Sequence, residues 1–168
     1  RRAPRVLTGQ GAFNPRPDAG AVEYTQLRVI YDTGDNTTPG ELGWAVAQNF
    51  DFQNFIEFDL PDLSLPATIQ PIIFMAENGN ASIIDGYSQT GSVIPGPPLA
   101  GNLGVEGGNQ AINIEFNGAG GYGIQFGGSS SGSRVSGINF LGFPSFGLDT
   151  DGCDGLKVQG CKFGLDNG

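Results

Sequence analysis

The sequence predicts an all-β chain folded as a parallel β-helix, with one short helix near its N-terminal end. Two observations support this prediction. Short segments of alternating apolar and polar residues fill the last third of the chain, Ala111 to Gly168, and they return with a period of roughly 23 residues. Turns rich in glycine separate them, and glycine supplies 29 of the 168 residues. A fixed period in a chain of strands is typical of a solenoid, whose strands pair with their counterparts one coil away.

The repeat places apolar residues over apolar residues. Three pairs share one offset in residue number: Val135 and Val158, Ile138 and Cys161, Phe140 and Phe163. In two further matches the offset is longer by a single position: Phe116 with Phe140, and Tyr122-Gly123-Ile124 with Phe146-Gly147-Leu148. Because strand side chains alternate between two faces, matched residues share a face and stack from coil to coil. We therefore expect one inward stack of Phe116, Phe140 and Phe163. A β-sandwich or barrel is the alternative for short strands, and the in-register repeat argues against it.

The domain boundary is predicted near residue 25. Residues 1–25 lie outside the repeat and contain Pro4, Pro15 and Pro17, so we expect a linker or the tail of a preceding module. Residues 26–168 are expected to form one capped β-helix module, truncated at its C-terminal end. Further coils or a partner chain would then cover residues 155–168.

A capping helix is predicted from Thr38 to Phe50. Thr38 can accept a hydrogen bond from a free helix N–H, Pro39 suits the first helical position, and Glu41 completes a capping box. Apolar residues then recur at helical spacing up to Phe50. The helix is expected to close the N-terminal end of the solenoid, because an open coil exposes strand edges and apolar core.

The other segments before the repeat are predicted as strands and loops. Gln26–Asp32 is a predicted strand with Leu27, Val29 and Tyr31 on one face. Further strands are predicted at Asn54–Leu60 and Ser82–Tyr87, and Ile69–Met75 holds another apolar run. Ser88–Gln110 is a long insertion rich in proline and glycine, which is either a binding loop or a tolerated excursion.

Charge and composition exclude several classes of function. The net charge is −9, which opposes binding to nucleic acid and to anionic membrane surfaces. No apolar run reaches the roughly 18 residues that a membrane span needs. Histidine is absent, which excludes histidine-dependent triads and the usual zinc sites. We assign no catalytic, cofactor-binding or metal-binding residue.

One acidic segment is a candidate cation site. Asp149, Asp151 and Asp154 are spaced like the start of an oxygen-rich calcium loop, although the later bidentate glutamate of such loops is missing. The alternative is a solvated turn, in which aspartate and glycine are ordinary residues. No other cofactor is expected.

The two cysteines are interpreted differently from each other. Cys161 matches the inward Ile138 and is expected to act as a small buried apolar residue. Cys153 is placed in a turn. A disulfide between them is left open, since it requires that the turn and the strand meet.

An enzyme is not predicted, because the outward acids appear scattered along the sequence at Glu57, Asp85 and Glu115. Arg134 and Lys157 form a short basic ladder, for which plain surface charge is the simpler interpretation. The aromatic candidates for stacking on sugar rings are Tyr87, Phe143 and Phe146, although aromatic side chains also fill β-helix interiors. Of the three, Phe143 is the one expected at the surface.

Three segments together resemble the right-handed parallel β-helix repeat modules of large secreted bacterial surface proteins. They are the strand, turn and helix that lead into Asn54–Pro61, the segment Ile83–Gly91, and the glycine-rich repeat from Ala111 onward. The resemblance covers residues 26–168 and implies a structural or adhesive, adhesin-like module outside the cell or at its surface. Its implied partners are further β-helix coils or modules of the same protein, together with surface glycans or other proteins. The same fold also serves polysaccharide lyases and glycoside hydrolases, which are the alternative function.

Overall fold

The computed structural model describes residues 24–32, 38–48, 53–61, 66–69, 75–77, 81–89, 114–118 and 123–164. Within these residues, every pairing between named strands is parallel. The expectation of an all-β chain with parallel strands is therefore confirmed. No helix in this part of the chain is long and apolar enough to cross a membrane.

Twelve strands and one α-helix lie in the described residues, together with short 3-10 turns at Gly86–Ser88 and Gly128–Ser130. The strands are β1 (Tyr24–Val29), β2 (Gln53–Phe58), β3 (Ala67–Ile69), β4 (Met75–Glu77), β5 (Ser82–Asp85), β6 (Ile114–Asn117), β7 (Ile124–Gly127), β8 (Arg134–Ser136), β9 (Ile138–Leu141), β10 (Leu148–Asp151), β11 (Lys157–Gln159) and β12 (Lys162–Phe163), and the helix is α1 (Leu42–Val46).

The strands form three sheets. The five-stranded sheet has the order β1-β2-β5-β8-β11, the four-stranded sheet β3-β6-β9-β12, and the three-stranded sheet β4-β7-β10. From β2 onward the chain visits the five-, four- and three-stranded sheets in the same cyclic order. Each strand therefore pairs with the strand one full cycle earlier, and the sheets grow together.

Columns of apolar side chains connect the cycles. On the five-stranded sheet, the residues in register are Leu27, Ile56, Ile84, Val135 and Val158, and the first four are buried. On the four-stranded sheet, Phe140 is in register with Phe116 on one side and Phe163 on the other. The ring centroids lie 5.3 Å apart for Phe116 and Phe140, and 4.9 Å apart for Phe140 and Phe163. The predicted phenylalanine stack is confirmed.

The last described strands leave apolar side chains partly open. Phe163 is 50% exposed and Val158 is 44% exposed. Phe163 stacks on Phe140 with one face, so its burial is one-sided, whereas Phe116 and Phe140 are buried.

The helix is shorter than expected. It spans Leu42–Val46, so the prediction that Thr38 and Pro39 begin it is wrong. Gly40 has a φ of 98° and Glu41 an extended backbone, neither of which fits a helix that is already under way. Leu42, Ala45 and Val46 nonetheless join the apolar core. Residues 49–50 lie outside the described part of the chain, and closure of the solenoid end by this helix stays a prediction.

The first strand also differs from its prediction. It begins at Tyr24, two residues before the expected boundary, and pairs with β2 from Gln53 onward. It ends at Val29, because the N–H groups of Ile30 and Tyr31 both donate to the Gly40 carbonyl. Tyr31 is 45% exposed as a result, so its placement on the face of Leu27 and Val29 is wrong. Residues 1–23 and 90–113, with most of the predicted linker and insertion, lie outside the described residues.

Candidate functional site on the outward face

The side of the five-stranded sheet that faces away from the apolar core carries four of the candidate functional residues, Glu57, Asp85, Arg134 and Lys157. We term it the outward face. Two columns of residues in register define it: Gln26, Phe55, Ile83, Arg134 and Lys157 in the first, and Arg28, Glu57, Asp85, Ser136 and Gln159 in the second. Both columns arise because these residues alternate with the buried ones along each strand.

Two of the three outward acids are neighbours. Glu57 on β2 is in register with Asp85 on β5, so the expectation that the outward acids are scattered is wrong for this pair. Glu115 lies apart from them, on the four-stranded sheet, where its carboxylate accepts from Asn139 Nδ2 at 3.4 Å. The parallel register thus joins two acids that belong to different strands and are distant in the sequence.

A shallow groove lies beside Glu57. It has a volume of about 380 Å³ and is lined by Arg28, Glu57, Phe58, Asp59 and Ser88. Arg28 Nη1 donates to Asp59 Oδ2 at 2.9 Å, and the Glu57 carboxylate accepts from the side-chain amide of Gln26. The charged groups of the groove are thus engaged with one another or with neighbouring polar side chains.

Asp85 holds the turn that follows β5. Its Oδ1 accepts from the Tyr87 N–H at 3.2 Å and from Ser136 Oγ at 3.0 Å. Ser88 Oγ donates to the Asp85 carbonyl at 2.6 Å and accepts from the Phe58 N–H at 2.7 Å. Asp85 therefore links three successive strands of the sheet, which is a structural role.

The basic ladder forms as the sequence predicts. Lys157 on β11 is in register with Arg134 on β8, and both lie on the outward face. Neither side chain forms an ion pair or a hydrogen bond with a described residue. The Nε atom of Arg134 is buried and has no acceptor.

The three aspartates of the candidate calcium loop are spread along β10 and the turn after it. Asp149 accepts from Gln125 Nε2 at 2.9 Å, Asp151 is exposed at the end of β10, and Asp154 is exposed in the turn. In the part of the chain that the structure describes, no three acidic or cysteine side chains meet in a metal-binding group. Calcium binding by these aspartates stays a prediction.

Both cysteines are free thiols packed against the apolar core. The Cys161 thiol donates to the Val135 carbonyl at 3.8 Å, and burial raises the pKa of this thiol. The Cys153 thiol donates to the Ser130 carbonyl at 3.5 Å. Cys161 therefore lies against the core as expected, although it is only partly buried, and Cys153 contacts the core as well as the turn.

The aromatic candidates have partners inside the protein. The Tyr87 ring lies over Gly137, and its hydroxyl donates to the Gly160 carbonyl at 3.2 Å. Phe143 packs on Phe140, with centroids 6.2 Å apart, so its placement at the surface is wrong in part. Phe146 is half-buried.

Sequence reasoning missed Arg28, Asp59 and Ser88 as members of the groove. The signal that could have found Arg28 is the pattern of a charged residue between two inward apolar residues. It occurs in Leu27-Arg28-Val29 and again in Ile56-Glu57-Phe58, which the structure aligns in register. For Asp59 and Ser88 the sequence carries no comparable signal.

Comparison with known proteins finds no match for this chain. No protein-family model, no curated protein and no solved structure matches the chain. The fold is therefore inferred from the residues of this chain and their geometry.

Proposed function

We propose that the chain is a right-handed parallel β-helix that serves as a structural or adhesive module of a large exported cell-surface protein. The observation that supports this most directly is the cyclic order in which β2 to β12 visit the three sheets. A chain that returns to the same sheet after each cycle, always parallel, winds in coils. The right hand follows the rule for parallel crossover connections.

The packing suits a stiff scaffold. Every coil adds a rung about 4.8 Å thick to each sheet. The ladder hydrogen bonds and the apolar columns both run from coil to coil, so deformation of the rod breaks both at once. Most charged side chains on the outward face form ion pairs or hydrogen bonds within the protein, as in the Arg28–Asp59 ion pair and the Asp85–Ser136 hydrogen bond.

The rest of the proposal follows the resemblance described above. Residues 26–168 form the module, preceded by a linker or the tail of another module. Its partners are further β-helix coils or modules of the same protein, and glycans or other proteins of a cell surface. Its location is extracellular or on the cell surface. No catalytic activity is proposed for this module.

A β-helix enzyme that acts on polysaccharides is the second candidate. One observation favours it: Glu57 and Asp85 lie side by side next to an open groove, and paired carboxylates carry out most glycoside hydrolysis. Against it, both carboxylates already accept hydrogen bonds from neighbouring side chains.

Two measurements on the purified chain test the proposal. Cross-linking with a short bifunctional thiol reagent should join Gln125→Cys to Asp149→Cys in a chain whose Cys153 and Cys161 are replaced by alanine, because these two positions are in register on neighbouring strands. Absence of this cross-link would contradict the β-helix. Incubation with acidic and neutral polysaccharides should release no oligosaccharide. Cleavage that is lost in Glu57→Gln but kept in the matched variant Glu115→Gln would favour the enzyme over the scaffold.

A further inference from the structure

We propose that Arg134 and Lys157 bind the oxyanion groups, carboxylate or sulfate, of an acidic glycan. The adhesive function proposed above supplies only the biological role of this site, and that part of the proposal rests on it. The present proposal adds the class of ligand. The site itself is argued from the two side chains and their surroundings.

The first argument is the juxtaposition of two cations. Arg134 and Lys157 are in register on neighbouring strands, which lie about 4.8 Å apart, and both face outward. Like charges directly opposite each other destabilise a sheet. An anion bound between the two side chains would remove this repulsion.

The second argument is that no described acid neutralises the pair. On its other side Arg134 is in register with Ile83, which has no polar group to offer. The diagonal neighbour Asp85 already accepts from Ser136 Oγ and the Tyr87 N–H. Neither cation forms an ion pair with a described residue.

The third argument is the partial burial of Arg134. The residue is only partly exposed, and its Nε atom is buried without an acceptor. A partly desolvated cation attracts an anion more strongly than a fully hydrated one. The guanidinium supplies a planar fork that matches carboxylate or sulfate oxygens, and Lys157 adds an exposed, adjustable point charge.

The net charge of the whole chain limits the class of anion that this site can bind. With a net charge of −9, the protein repels polyanions at long range, so binding must come from short-range contacts at this pair. Nucleic acid is disfavoured, since its affinity for proteins depends on many phosphate contacts. Half-buried Ile83 and Phe55 continue the same column and offer apolar surface beside the cations, as in the largely apolar sites that bind small ligands.

The experiment measures binding by calorimetry at low and at physiological salt. The probes are polygalacturonate as the carboxylate ligand, dextran sulfate as the sulfate ligand, uncharged dextran, and single-stranded DNA as an unrelated polyanion. The variants are Arg134→Gln, Lys157→Gln, the double variant, and Lys162→Gln as a matched control on the four-stranded sheet. Melting curves establish that each variant is folded.

We expect at least one acidic glycan to bind, and the double variant to lose affinity by about tenfold or more. Lys162→Gln should bind like the parent chain, and uncharged dextran should not bind. The acidic glycan that binds more tightly shows whether the site prefers carboxylate or sulfate groups. Absence of binding to both acidic glycans, an equal loss in Lys162→Gln, or equal affinity for DNA would overturn the proposal. None of these results changes the cross-link between residues 125 and 149 by which the scaffold itself is tested.

Discussion

The side chain of Gln89 bonds both backbone groups of Leu60. Oε1 accepts from the Leu60 N–H at 2.9 Å, and Nε2 donates to the Leu60 carbonyl at 3.2 Å. Gln89 is only 2% exposed, and Leu60 is buried as well. The amide thus continues the pairing between β2 and β5 beyond the last backbone bond, where the chain leaves the sheet.

Replacement of this amide should destabilise the fold. Gln89→Ala leaves two backbone groups of Leu60 without their partners, and we expect a loss of about 1–3 kcal/mol in the free energy of unfolding. Urea denaturation measures this loss. Gln125→Ala is the control, because Gln125 bonds a partly exposed carboxylate instead of a buried backbone. Equal losses in the two variants would show that the Gln89–Leu60 bonds contribute no more to the free energy of unfolding than the Gln125–Asp149 bond.

Truncation within the phenylalanine stack should be costly at its centre and mild at its open side. Phe140 packs against Phe116 and Phe163, and its removal leaves a cavity, so Phe140→Ala should cost about 3–5 kcal/mol. Phe163→Ala should cost clearly less, because half of that residue is exposed. A loss below about 1 kcal/mol for Phe140→Ala, far under the usual cost of such a cavity, would contradict the register.

The three-stranded sheet contains a close backbone approach that excludes a side chain. A Cβ atom at Gly123 would overlap the Gly147 carbonyl oxygen. Since backbone cannot move aside cheaply, Gly123→Ala should cost at least the roughly 1–3 kcal/mol of an overpacked core. At the control position Gly128, a Cβ atom would lie 3.2 Å from its nearest neighbour, so Gly128→Ala should be much milder. Similar melting temperatures for the two variants would be evidence against this strand pairing.

The Cys161 thiol should make stability depend on alkaline pH. Burial raises its pKa above the ordinary value of 9.0. The folded chain then holds the thiol proton more tightly than the unfolded chain. The stability that this proton contributes is therefore fully present below about pH 9 and is lost as the pH rises through the pKa of the thiol in the folded chain. Cys161→Ala should therefore lose less stability than the parent between pH 8 and pH 10, as urea denaturation at each pH would show. Parallel losses in the two proteins would mean that the thiol is not desolvated.

The pairing of the later strands could be predicted from the sequence because their repeat is nearly uninterrupted. Val135 and Val158 are matched by counting one period along the chain, and the structure pairs them. A period one residue longer predicts that Ile124 and Leu148 lie in register, which is also confirmed. The connections between these strands are short, so sequence distance and spatial register agree.

The pairing of the earlier strands and the composition of the outward face could not be predicted in this way. Ile84 pairs with Ile56 and with Val135, which lie at quite different distances along the chain. Long connections between strands hide the period there, so the pairing of Glu57 with Asp85 could not be found by counting residues along the sequence. The start of the helix was mispredicted for a local reason: the capping pattern at Thr38 ignores the positive φ of Gly40.

The parallel pairing of the strands is tested most directly by nuclear Overhauser contacts between backbone protons of the isotopically labelled chain. In parallel strands, we expect contacts from an α-proton to the amide protons near its partner on the neighbouring strand. They should connect Val135 with Val158, Phe116 with Phe140, and Ile124 with Leu148, one pair on each sheet. Strong contacts between α-protons of facing residues, which arise in antiparallel sheets, would contradict the coiled arrangement at these strands.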